Sequence, residues 1–423
     1  MGTDTAGTAD GSGQERPVVI VGASLGGAKA AEALRAAGYR GGIVLIGDEH
    51  ERPYERPPLS KGYLLGKTPR EKIYVHPPQW YAEHDVTLRL GTPVTAIDPA
   101  AHTVTLADDG RIGYAKLLLT TGSVPRRLPV PGADQDGVLH LRRVEDSDRI
   151  RAVLRPGARI VVIGAGWIGL ETAAAARTAG ADVTVLEAAE LPLLRVLGRE
   201  VAQVFADLHR DHGVELRFNA SVEELTGTGG TVTGVRLADG STVAADAVIV
   251  GIGISPVTAL AEAAGLETEN GIRTDEHLRT SDPDIYAAGD VASAFHPLFG
   301  RHLRVEHWAN AVNQPQTAAR ALLGREGPET VYDRVPYFFT DQYDDFGMEY
   351  TGYVEPGGYD RVVFRGDPAT REFIAFWLSD GRVLAGMNVN VWDVTDPIRE
   401  LVRSKRTVTV DRLTDPAVPL GDV

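Results

Sequence analysis

One short pattern occurs twice in this chain and restricts its fold more than any other feature. Val18-Val19-Ile20-Val21 runs straight into Gly22-Ala23-Ser24-Leu25-Gly26-Gly27 and then an alanine-rich stretch lasting to about Ala37. The same order returns at residues 160–163, which lead into Gly164-Ala165-Gly166-Trp167-Ile168-Gly169 and a second alanine-rich stretch. A short apolar run without polar alternation reads as a strand buried on both faces, and the stretch after each glycine turn reads as a helix. Such a turn lets backbone approach a ligand closely and aims the positive end of the helix at it, which suits a pyrophosphate. A further apolar strand comes after each helix, at residues 43–46 and 183–186, and ends near an acid, Asp48 after Gly47 in one copy and Glu187 in the other. An acid there can accept hydrogen bonds from ribose hydroxyls, so each copy reads as a dinucleotide-binding unit.

The second copy matches the G-x-G-x-x-G fingerprint in full, whereas the first has Ser24 in the middle position, where close backbone approach is expected. The repeat extends further. Leu106-Ala107-Asp108-Asp109-Gly110 before Leu117-Leu118-Leu119-Thr120-Thr121-Gly122 parallels Leu237-Ala238-Asp239-Gly240 before Ala247-Val248-Ile249-Val250-Gly251-Ile252-Gly253. Each half is therefore strand, helix, strand, hairpin and closing strand. Two dinucleotide units in one polypeptide imply two dinucleotides, and hydride transfer between a nicotinamide and a flavin is the chemistry that needs both. FAD is assigned to the first half and NADH to the second.

Composition removes several alternatives. The chain has no cysteine, so it forms no disulfide, holds no iron-sulfur cluster by thiolates and has no thiol relay. With 43 basic and 58 acidic side chains the net charge is −15, which argues against nucleic acid as a partner. No apolar run reaches the roughly 20 residues needed to span a bilayer. Residues 1–16 read as a disordered tail lacking the basic start and apolar centre of a secretion signal, so a cytoplasmic protein without a membrane span is expected. No metal site is read.

After the first acid comes Gly47-Asp48-Glu49-His50-Glu51-Arg52-Pro53-Tyr54-Glu55-Arg56-Pro57-Pro58-Leu59-Ser60-Lys61. In residue type and spacing this segment resembles the bacterial FAD- and NADH-dependent ferredoxin reductases of the putidaredoxin reductase type, and more distantly the apoptosis-inducing factors. The likeness runs from Pro17 to roughly Leu420. It implies two tandem Rossmann-like dinucleotide-binding domains in the α/β, glutathione-reductase-like arrangement, followed by a C-terminal α+β domain. The expected division is 17–127 and 254–324 for FAD, 128–253 for NADH and 325–423 for the C-terminal domain, which would cover the flavin edge.

The resemblance also implies roles. Asp48 would bind the adenosine ribose of FAD, Arg56 its pyrophosphate, and Lys61 would lie near flavin N5, paired with Glu171. Both Lys61 and Glu171 are therefore candidate catalytic residues. Gly22, Ala23, Ser24, Leu25, Gly26, Gly27, Val94, Thr121, Gly122, Arg126, Arg142, Asp290, His307 and Trp308 are the further candidates for the flavin side. Arg126 can equally be a surface charge, Trp308 a core residue, and Asp290 the cap of a following helix. For the nicotinamide side the candidates are Gly164, Gly166, Ile168, Gly169, Glu187, Arg195, Gly253 and Glu306, the last near the carboxamide. Phe339 stands where many relatives have Trp, and Thr340 where they have Ser.

Glu187 favours NADH, because a 2′-phosphate would meet its charge. The expected activity is hydride transfer from NADH to flavin, then single electrons to a small iron-sulfur ferredoxin serving a monooxygenase or dioxygenase. Rubredoxin reductase, NADH oxidase and an NADH-sensing interaction flavoprotein are the alternatives. An acidic ferredoxin would need a basic patch, and two runs offer one: Arg301 with Arg304, and Arg399, Arg403, Lys405 and Arg406. Either run can equally be an ordinary solvated face.

Overall fold

The two apolar runs beside the glycine turns each form the middle of a five-stranded sheet, as their lack of polar alternation requires. In the computed structural model, which describes residues 16–325 and 327–423, contacts divide the chain into two units. One takes in the chain up to Glu55, Glu71–Val124 and Ser255–Arg334; the other takes in Arg56–Arg70, Pro125–Ile254 and Val335–Val423. The tail expected at residues 1–16 lies, apart from Arg16, outside the described residues.

In the first unit the sheet runs Ile285–Ala287, Lys116–Leu119, Val18–Val21, Ile43–Ile46, Val86–Arg89, all parallel. Val18 to Val21 are each at most 5% exposed, and helix Leu25–Ala36 packs its alanines against the same core. Burying each such valine or isoleucine stabilises the fold by about 1.5–3 kcal/mol. A three-stranded antiparallel meander, Val94–Asp98, Thr103–Leu106 and Arg111–Gly113, branches off where the hairpin was expected.

The second unit repeats this plan. Its parallel sheet runs Glu215–Arg217, Asp182–Leu186, Arg159–Ile163, Ala247–Val250, Val138–Leu139, with the meander Val222–Thr228, Thr231–Leu237, Thr242–Ala244 beside it. The copies differ in their fifth strand, which comes from late in the chain in the first unit and from before the central strand in the second.

Residues beyond 335 add a five-stranded antiparallel sheet in the order Tyr337–Gln342, Phe346–Gly352, Arg382–Val389, Glu372–Ser379, Arg361–Asp367, followed by helix Thr395–Ser404. Alternation of apolar and polar residues is expected over Arg361 to Phe364 and Glu372 to Leu378, in two of these strands. Glu372–Ser379 in fact does not alternate, because Phe373 to Leu378 are all buried. Trp377, fully buried, donates its indole N–H to the Leu197 carbonyl at 3.1 Å, so this sheet shares its core with the parallel sheet of the same unit. Among the described residues no helix is long and apolar enough to cross a membrane.

Candidate functional site

Both glycine turns have the same steric logic. Gly22 and Gly164 sit at φ of +119° and +98°, where only glycine is comfortable. A Cβ on Gly27 would lie 2.1 Å from the Gly22 carbonyl oxygen, and one on Gly169 would lie 2.0 Å from that of Gly164. The first and last glycines are thus required for helix and strand to approach. The middle position differs: Gly166 has φ −80°, and its nearest obstacle to a Cβ is 3.9 Å away. Ser24 occupies the equivalent place at φ −115°, outside the left-handed region that needs glycine. Neither helix carries a side-chain cap or an acid in its first turn, leaving the amides and positive end of each for an anion. That donor set fits the pyrophosphate of a dinucleotide.

Within the first unit, Asp48 is exposed at the end of its strand, and Gly47 before it packs so closely on the turn that a Cβ would come 2.6 Å from Ala23 Cβ. Val94 begins the meander, while Thr121 donates its hydroxyl to the Val257 carbonyl at 2.9 Å, with Gly122 next in the chain at φ +66°. Asp290 comes after Gly289, whose N–H donates to Gln314 Oε1 at 2.8 Å. Strand Ala292–His296 comes next, not a helix, so the capping role considered for Asp290 falls away. His307 is the N-cap of helix Trp308–Leu322, which places Trp308 in the first turn and the buried Gln314 further along. Glu306 pairs with Arg304, whose side chain is only 9% exposed and also reaches Asn270 Oδ1 at 3.2 Å. Arg304 is therefore committed locally and does not supply the basic surface expected of it, while Arg301 is exposed.

In the second unit Glu187 lies against the glycine turn: one carboxylate oxygen accepts from the Ala165 N–H at 2.7 Å and the other from Ala189 N–H at 2.8 Å. Leu193 donates its N–H to the Ala165 carbonyl, which brings the short helix Leu194–Leu197 alongside. Arg195 is exposed on that helix, and two apolar side chains here also face outward, Ile168 at 42% and Val196 at 47% exposure. Arg126 meets Gly253 through its backbone N–H and donates its Nε–H to the Ile254 carbonyl at 3.1 Å. Arg56 donates a guanidinium N–H to the Arg142 carbonyl, joining two of the expected arginines.

The same unit holds a buried polar cluster around Glu171. Lys61 Nζ pairs with Glu171 Oε1, as expected; their side chains are 17% and 4% exposed. Lys61 comes directly after the short helix Pro57–Ser60, and Glu171 lies on helix Trp167–Thr178, which begins at the second glycine turn. Two hydroxyls complete the carboxylate's surroundings: Ser60 donates to Oε2 and Thr340 to Oε1, each at 2.5 Å. Burial of a charge costs heavily unless it is paired and hydrogen-bonded, and this one is both. Phe339 is partly buried on the same strand as Thr340. The sequence reading missed Ser60 and Gln314 and treated Thr340 only as a departure. Ser60 was adjacent to Lys61 in the motif, but nothing local indicates that its hydroxyl meets residue 171.

The pattern of pyridine nucleotide-disulphide oxidoreductases matches residues 16–315, and that of the reductase C-terminal domain matches residues 337–423. The chain is 40% identical over 407 residues to the 5,5'-dehydrodivanillate O-demethylase ferredoxin reductase subunit of Sphingobium sp., covering 96% of this chain and 97% of that one. It is 39% identical to putidaredoxin reductase of Pseudomonas putida, covering 96% of each. Among solved structures, that of the covalent putidaredoxin reductase-putidaredoxin complex superposes with a TM-score of 0.92 at 39% identity, over 96% of this chain and 98% of that chain. The turns, the sheets and these likenesses agree: the chain belongs to the pyridine nucleotide-disulphide oxidoreductase family.

Proposed function

We propose that this protein is an FAD-dependent NADH:ferredoxin reductase, passing electrons from NADH to a small iron-sulfur ferredoxin that serves a monooxygenase or dioxygenase. The observation that carries this reading is the buried Lys61–Glu171 pair, with Glu171 on the helix of a complete dinucleotide fingerprint, in a chain that has a second, incomplete copy of that fingerprint and no cysteine. Relatives of similar length are named as ferredoxin reductase components of oxygenase systems, among them that of anthranilate 1,2-dioxygenase from Burkholderia cepacia, 41% identical over 406 residues. The absence of cysteine removes thiol relays, and electrons leave by way of the flavin alone.

Residues 17–127 and 254–324 hold FAD in this reading, 128–253 hold NADH, and 325–423 form the C-terminal domain. The amides of the turn Gly22–Gly27 and Arg56 hold the FAD pyrophosphate, and Asp48 holds the adenosine ribose. Asp290, tied in place next to the Gly289–Gln314 bond, accepts from the ribityl chain. Gly164–Gly169 and Glu187 hold NADH, with Ile168 and Val196 offering apolar contact. Bound FAD supplies hydride acceptance and release of electrons one at a time. Lys61 presents a localised positive charge where negative charge develops, and Glu171 holds that ammonium in place.

Anaerobic titration with NADH, followed by cytochrome c reduction with added ferredoxins, tests the proposal. Bleaching of a yellow protein and ferredoxin-dependent turnover are expected. Protein that stays colourless after reconstitution with FAD would end it, and oxygen reduction as fast as ferredoxin reduction would favour an oxidase.

A further inference from the structure

Strand Tyr337–Gln342 alternates, and its inward positions make three different contacts with helices of the same unit. Phe338 packs on Trp167 with ring centroids 4.6 Å apart, Thr340 donates to Glu171, and Gln342 Oε1 meets His209 Nε2 at 2.9 Å. Trp167 and Glu171 belong to helix Trp167–Thr178, and His209 belongs to helix Arg199–Asp211. A period of two therefore places Thr340, fully buried, directly on the carboxylate that pairs with Lys61. From the other side comes Ser60, 2% exposed. Its single proton has two acceptors in reach, Pro57 O at 3.3 Å and Glu171 Oε2 at 2.5 Å, and the shorter, charge-assisted bond takes it.

We propose that Thr340 and Ser60 are positioning residues for Lys61: their hydroxyls fix the two oxygens of Glu171, and the fixed carboxylate fixes the ammonium. A carboxylate held by one lysine alone can rotate about its last torsion, which is broad and roughly two-fold. Two hydroxyl donors, one on each oxygen, remove that freedom. The C-terminal strand thus completes the Lys61 site with one hydroxyl, a role distinct from covering a cofactor edge. The inference rests on the reading of Lys61 given above, and its test separates the two.

The flavin-loaded protein is compared with Thr340→Val, Thr340→Ser and Ser60→Ala. The first readout, independent of turnover, is the rate at which an N-hydroxysuccinimide ester acylates Lys61, followed by peptide mass spectrometry. The second is flavin reduction by NADH in stopped flow, resolved into limiting rate and half-saturation. Thr340→Val and Ser60→Ala are expected to speed acylation several-fold and to slow the limiting rate about tenfold, the effect of losing one hydrogen bond to a charged group, with half-saturation nearly unchanged. Thr340→Ser keeps the hydroxyl and restores both. Acylation of Lys61 at the wild-type rate in Thr340→Val and Ser60→Ala overturns the inference. Faster acylation with unchanged reduction supports the clamp and overturns the catalytic reading of Lys61. A Thr340→Val protein that does not accumulate leaves the decision to Ser60→Ala, on the same two readouts.

Discussion

Glycine has three separate meanings in the two turns, and they can be told apart by substitution. Gly22 and Gly27 would each bring a Cβ to 2.2 Å or less of a carbonyl oxygen, Thr120 O and Gly22 O, whereas Gly166 meets only one atom, at 3.9 Å. Overpacking of this kind typically costs about 1–3 kcal/mol and the positive φ at Gly22 adds to it. Gly22→Ala is therefore expected to lose ~2 kcal/mol or more in urea unfolding, while Gly166→Ala stays within about 1 kcal/mol of wild type. Equal losses in the two variants would contradict the steric account. Glu187 carries a different prediction. Its carboxylate already accepts from two backbone amides, Ala165 of the glycine turn and Ala189 two residues on, so Glu187→Ala removes both a bond to the glycine turn and the repulsion toward a 2′-phosphate. The ratio of kcat/KM for NADH over NADPH should fall about tenfold or more, and a ratio that stays put would remove Glu187 from the specificity reading.

Elements set the next level, where strand Tyr337–Gln342 is fixed to its neighbours by polar bonds that the local sequence does not announce. His209 is fully buried, with Nε2 donating to Gln342 Oε1 and Nδ1 accepting from the Tyr343 hydroxyl, each at 2.9 Å. Burial, aided by nearby His212, pushes its pKa down to about 4; the bond to Gln342 opposes this. His212 in turn stacks on Tyr343 at 3.6 Å and faces Asp345 at 3.4 Å. Because the folded pKa lies below the ordinary value of about 6.5, the unfolded chain binds the proton first as pH falls. The stability that neutral His209 contributes is complete above about pH 6.5 and declines toward pH 4, by an amount on the order of 3 kcal/mol. Urea unfolding of wild type and His209→Gln at pH 7.5 and 5.0 measures it. The variant should lose less on acidification, and parallel losses would show that another group titrates.

At the scale of the whole molecule a net charge of −15 must be reconciled with the acidic iron-sulfur partner proposed above. In the two candidate runs Arg304 and Arg399 are partly buried, whereas Arg301, Arg403, Lys405 and Arg406 are exposed. Reversing Arg403 and Arg406 to Glu together is expected to slow ferredoxin reduction about tenfold at low salt and to flatten its salt dependence, with NADH-to-flavin transfer unchanged. An unaltered salt dependence would exclude this face.

The duplicated plan was legible in the sequence because it depends on local causes. Gly22 and Gly164 need positive φ, residues 18–21 and 160–163 lack polar alternation, and each helix begins at once, so turn, strand and helix are determined by neighbours in the chain. Lys61 and Glu171 were named by the family resemblance that the motif ending at Lys61 carries, and not by a local cause. What only the tertiary structure decided is how residues far apart in the chain share one carboxylate. Ser60, Lys61 and Thr340 meet at Glu171 across separations of up to 169 residues, and Arg304 is paired by what folds beside it. A hydroxyl or a guanidinium has no pattern along the chain that reveals its partner, since hydrogen bonds of this kind are set by packing in three dimensions, whereas backbone torsion and hydrophobic period are written residue by residue.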